Sequence, residues 1–94
     1  ILYMQPQDYE KFTILSKAIA KIIKKERKRL NKSQRTLADE YELQKSLISR
    51  LENCKSEPKL FNFWKLINAL GYNPSEFFIL LEKELPKNFT LIDE

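Results

Sequence analysis

The sequence has no histidine, and only one cysteine, one glycine, one methionine and one tryptophan among its 94 residues. Without histidine it lacks the commonest general base near neutral pH. The lone thiol, Cys54, has no second cysteine to bridge, and a single thiol without imidazoles falls short of a zinc ligand set. Gly71 by itself cannot build a glycine-rich phosphate loop. The remaining acids of the central segment, Asp39, Glu40 and Glu42, read as solvated helix residues, so neither a nucleophile–base pair nor a metal cluster can be assembled. No enzyme activity, cofactor or metal is expected. Long apolar runs are missing too. Ile1-Leu2-Tyr3-Met4 is far too short to cross a bilayer, no cationic segment precedes it, and Met4 is a candidate start. No leader and no membrane partner is expected, and a free thiol without disulfides fits a reducing cytoplasm.

What is present suits one small domain. With 43% hydrophobic and 32% charged residues, the chain has material for one modest core and too much for a disordered tail. A chain this short buries a smaller share of its surface than a large one, so its stability margin is thin. Charge is unevenly spread. Between Lys17 and Lys32 eight Lys/Arg face only Glu26, whereas from Glu76 onward five acids face Lys83 and Lys87. Such polarity turns one end toward a polyanion, or else is an ordinary solvated helix face.

Hydrophobic spacing predicts an all-α body. Phe12, Leu15, Ile19, Ile22, Ile23 and Leu30, with Ala18, recur at helical intervals over a first helix from about Tyr9 to Leu30. Asn31-Lys32 breaks it, and Ser33 is an N-cap for a short second helix, Gln34 to Tyr41, with Leu37, Ala38 and Tyr41 inward. After a turn at Glu42-Leu43, a third helix is expected from Lys45 to Asn53, and Cys54 to Pro58 is a loop. The fourth helix, Lys59 to Leu70, shows a stripe of Leu60, Phe63, Trp64, Ile67 and Leu70 that ends at Gly71, a residue suited to the left-handed C-terminal position. The fifth opens with Asn73 as cap, Pro74 at the first helical position and Glu76 three residues past the cap, and stops before Pro86. Only the tail Phe89 to Ile92 hints at a period of two.

Two short helices joined by a tight turn make a helix-turn-helix, whose second helix can enter a major groove about 12 Å wide. That helix must bury one face and offer polar donors on the other. Leu47, Ile48 and Leu51 do the first; Lys45, Ser46, Ser49 and Arg50 do the second, with no acid among them.

The segment Ser33-Gln34-Arg35-Thr36-Leu37-Ala38 resembles an S-Q-x-x-L-A second-helix start, and Leu47-Ile48-Ser49-Arg50-Leu51-Glu52-Asn53 resembles an x-I-S-R-x-E-x recognition helix; Pro58 and Leu70-Gly71 fall at matching later positions. These are marks of the phage repressor/Cro-like (Xre-type) helix-turn-helix family, and the resemblance spans roughly Ile19 to Leu81. It implies a five-helix lambda-repressor-like DNA-binding domain over residues 11–85, with an N-terminal extension (1–10) and a C-terminal tail (86–94). It implies a transcriptional repressor that binds double-stranded DNA at a near-palindromic operator in the cytoplasm, associated with the nucleoid. Gln34 and Arg35 would meet DNA at the start of the second helix, Gln34 on a phosphate. Lys45, Ser46 and Arg50 match positions that reach base edges, with Ser49 beside them, and Asn53 and Lys55 match phosphate contacts. Arg50 is the candidate for reading guanine O6 and N7, the alternatives being a phosphate contact or a pairing with Glu57. The resemblance also implies a largely buried structural ion pair between Arg27 and Glu52. Two residues depart from the pattern. Lys32 stands where an apolar residue is usual, so the link between the first two helices is expected to be more solvated. Cys54 replaces a glycine, so either Asn53 takes the left-handed conformation or the loop is altered.

Phe77-Phe78-Ile79-Leu80-Leu81 is apolar on every side, and Leu85 extends it. The excess predicts a second buried interface, with Phe77, Phe78, Leu81 and Leu85 joining two copies in a homodimer whose recognition helices lie about 34 Å apart. The alternative is that Ile1 to Leu15 and Phe89 to Ile92 fold back over this face. A competing function is an antitoxin-like module that grips a toxin through its last helix and tail and autoregulates its operon.

Overall fold

The computed structural model describes residues 4–92, which form five helices: α1 (Pro6–Arg29), α2 (Gln34–Glu40), α3 (Lys45–Glu52), α4 (Leu60–Ala69) and α5 (Pro74–Glu84). No strand occurs among the described residues, and the tail beyond Pro86 forms only local turns, so the period of two in Phe89 to Ile92 leads to no sheet. Helix α1 begins at Pro6, a turn earlier than its apolar pattern, because proline fits the first helical position. At 1.5 Å per residue its 24 residues span about 36 Å, which accounts for most of the 43 Å long axis.

Local chemistry sets the joints. Asn31 ends α1 at φ 57°, a conformation asparagine tolerates better than most residues. Ser33 Oγ accepts from the Thr36 N–H at 3.0 Å and starts α2. The start of α5 is a complete capping box: Asn73 Oδ1 accepts from the Glu76 N–H, and Glu76 Oε1 from the Asn73 N–H, each at 2.9 Å. Gly71 closes α4 at φ 97°.

The core lies where the five helices meet. Ile22 and Ile23 of α1, Leu37 and Ala38 of α2, Ile48 and Leu51 of α3, Phe63, Leu66 and Ile67 of α4, Leu70, and Phe77 and Leu81 of α5 are all buried. Phe63, Phe77 and Phe78 stand edge to face, with centroids 5.6–6.2 Å apart.

Three inward assignments differ from the pattern. Leu60 and Trp64 of α4 are exposed, and Leu66 and Ala69 take their places inside. Between Leu60 and Leu70 only Asn62, Lys65 and Asn68 are polar, so sequence alone cannot say which apolar face turns inward. Tyr41 is also exposed, its ring lying 5.1 Å from Lys32 Nζ. The α5 face is the third. Phe77 and Leu81 are fully occupied within the core and cannot serve an interface, whereas Phe78 and Ile79 are exposed and Leu85 is half-buried. The described tail does not cover them: Lys87 and Phe89 lie beside Gln7, Glu10 and Ile14 of α1 instead. Ile1 to Tyr3 lie outside the described residues.

Candidate nucleic-acid interface

Helix α3 is held on one side and open on the other. Ile48, Leu51 and Glu52 are buried, Leu47 and Ser49 are half-buried, and Lys45, Ser46 and Arg50 face solvent. Arg50 forms no ion pair with Glu57 or any other described residue, so its guanidinium is available for an external acceptor. Arg35 is exposed near the start of α2. At the far end of α3, Asn53 Nδ2 folds back to donate to the Ser49 carbonyl at 2.7 Å. Exposed Lys55 follows, its N–H bonded to the Arg50 carbonyl at 2.8 Å.

A buried fork fixes this helix to α1. Arg27 Nε donates to Glu52 Oε2 at 2.7 Å and Nη2 to Oε1 at 2.9 Å, while Nη1 donates to the Lys32 carbonyl at 2.9 Å. Gln34 lies close enough to Glu52 to stabilise its carboxylate, which places the start of α2 beside the end of α3. Burial pushes the Glu52 carboxyl up, but the hydrogen bonds from Arg27 and the proximity of Gln34, with Arg27 and Lys24 nearby as charges, outweigh it and hold the group below its ordinary range. The bond to Glu52 raises Arg27 in turn. One acid thus sits close to the polar face without exposing its charge there.

A second carboxylate was not singled out by sequence reasoning. Glu26 is buried, accepting from Arg29 Nε at 2.6 Å and from the Tyr72 hydroxyl at 2.8 Å. These bonds overcome burial and lower its pKa, and they tie the end of α1 to the segment between α4 and α5. The signal was legible: Glu26 falls on the inward stripe Ile19, Ile22, Ile23 and Leu30 at helical spacing.

The joints around α3 depart from expectation. Cys54 itself adopts the left-handed conformation, φ 59°, while Asn53 stays at φ −105°. Glu42 does the same at φ 55° in the turn before α3, where neither glycine nor asparagine marks the position. The turn is braced by Lys65 Nζ, which donates to the Glu42 carbonyl at 3.3 Å. Lys32 is less solvated than its charge suggests, because Nζ pairs with Glu40 at 2.6 Å, and that bond raises its pKa.

Among the described residues no group of His, Cys, Asp and Glu is arranged to hold a metal, and no helix is long and apolar enough to cross a membrane. Compared with known proteins, residues 23–77 match a helix-turn-helix family model. No curated protein and no solved structure matches the chain.

Proposed function

Because more than half of the chain matches that model, it belongs to the Cro/C1-type (Xre-like) helix-turn-helix family of DNA-binding regulators, and we propose that it is a sequence-specific repressor that inserts α3 into the major groove. The observation that carries this reading is the division of α3: one face clamped by the Arg27–Glu52 fork and the core, the other offering Lys45 and Arg50 unpaired beside Ser46, whose exposed hydroxyl makes only a long 3.5 Å bond to Gln44 Oε1. Gln34, Arg35, Asn53 and Lys55 flank that face and would place the helix by phosphate contacts, whereas Arg50 would read a guanine.

Selection of binding sites from a random duplex pool tests it. The expected outcome is a near-palindromic sequence with half-sites one helical turn apart. Arg50→Ala should relax specificity at one base pair per half-site, at a cost of about 1–3 kcal/mol. Equal affinity for every sequence would overturn the specific reading.

The repressor would act as a homodimer. Support comes from apolar surface that the single chain leaves open: Phe78 and Ile79 on α5, and Leu60, Phe61 and Trp64 on α4. The same surface favours a second reading, an antitoxin-like module whose exposed aromatics grip a toxin. Sedimentation equilibrium of the pure protein separates the two, since a dimer supports the first and a monomer that joins a toxin in a defined complex supports the second.

A further inference from the structure

The family match begins at residue 23, yet α1 begins at Pro6, so more than half of this helix lies outside it. The added turns are not bland. Lys17 and Lys21 there extend a row that Lys24 and Lys28 continue inside the match, at intervals of four, three and four residues, which places all four along one face of α1. With Lys25, Ala20 and Cys54 they line an open groove of about 580 Å³. Cys54 is the second residue past the end of α3, so the groove continues from the end of the helix offered to DNA. Lys21 pairs with Glu84 at 2.9 Å and Lys24 lies near the buried Glu52, but Lys17, Lys25 and Lys28 form no ion pair with a described residue.

Resting on the DNA-binding reading above, we infer that this lysine-lined groove is a second DNA contact, a track for the phosphate backbone beyond the base pairs read by α3. Cations three and four residues apart on one helix face repel one another, and the Glu84 pairing offsets Lys21 alone, so an external anion would relieve the rest of the row. The lining includes no aromatic or large apolar side chain, so it lacks the anchors on which protein interfaces depend. From Lys17 to Lys28 the face runs about 16 Å, long enough to meet more than one phosphate of a strand. A linear polyanion fits a linear row of cations.

The test measures the salt dependence of binding to a selected operator duplex for the wild type, Lys17→Gln, and Lys17→Gln/Lys21→Gln. Lys83→Gln/Lys87→Gln serves as an equal loss of charge outside the groove. The groove variants should show a slope of log affinity against log salt that is shallower by about 0.9 per lysine and protomer. Affinity at 0.1 M salt should fall by about 60-fold per protomer for the double variant, about 0.9 decade for each lysine, with base preference unchanged. Phosphate-ethylation interference should lose sites beyond the α3 half-site, and Lys17→Gln should leave the melting temperature of the free protein equal or higher. A groove-variant slope equal to the wild type's, or an equal loss in the control, overturns the inference and leaves the family reading intact. Capture of an acidic protein through the groove, with DNA binding unaffected, overturns it as well. If the wild type retains no duplex from the pool, the DNA-binding reading itself fails.

Discussion

Glu52 shows how one residue links the fold to the interface. It binds Arg27 through both carboxylate oxygens, at 6% exposure. Glu52→Gln would leave the half-buried Arg27 guanidinium without its counter-charge, and one-sided removal from a buried pair costs up to about 3–5 kcal/mol. Replacing both partners by apolar residues, as in Arg27→Met/Glu52→Leu, should cost much less, because no charge is stranded. Chemical denaturation of the two variants checks the order. The pH dependence follows from the same group and from Glu26. Both are held below the ordinary glutamate value of 4.5, so their stabilisation is complete above that value and is lost as pH falls through the lower folded value. Wild-type stability should therefore decline below about pH 4.5, and Glu52→Gln should flatten the decline. Resemblance made the Arg27–Glu52 pair legible, whereas Glu26 disappeared into a run of positive charge although its helical register placed it inside.

Left-handed residues are a second matter at this scale. Glu42 and Cys54 bracket α3 with φ near 55–59°. A side chain there costs about 1–2 kcal/mol, part of which glycine returns as lost chain entropy. Glu42→Gly and Cys54→Gly should each stabilise the protein by about 0.5–1 kcal/mol in thermal melts. Gly71→Ala should do the opposite, by about 1–2 kcal/mol. An added Cβ would meet nothing within 4 Å, so its cost is the φ of 97° alone.

Among the elements, α2, α3 and α5 were readable because each carries a polar mark at its boundary or a one-sided apolar stripe. Ser33 and Asn73 cap as their positions suggest, and Ile48 and Leu51 turn inward. Helix α4 was not readable in the same way. Nearly every position is apolar, so its orientation is settled by the ring cluster that Phe63 makes with Phe77 and Phe78 rather than by its own pattern. Two substitutions two residues apart should expose this. Phe63→Ala should cost about 3–5 kcal/mol, as deletion of a buried ring does. Phe61→Ser, at a side chain 77% exposed, should stay within about 0.5 kcal/mol in the dissociated monomer. Urea denaturation distinguishes them, and equal losses would mean that α4 is rotated.

For the whole molecule, the radius of gyration of 13.6 Å slightly exceeds the roughly 13 Å typical of 100 residues, because α1 runs past the bundle. The sequence showed polarity of charge but not its alignment, since only the fold brings the lysine face of α1 beside the loop after α3. The same fold decides what a spectroscopist would see. The chain's only tryptophan, Trp64, lies on the open face of α4 at 50% exposure. Its emission should already resemble that of a hydrated indole in the folded monomer, so unfolding shifts the band little. Covering that face should shift the band to the blue. Intrinsic fluorescence is therefore an inbuilt titration signal for association and a poor thermometer of folding, and melting curves belong to circular dichroism.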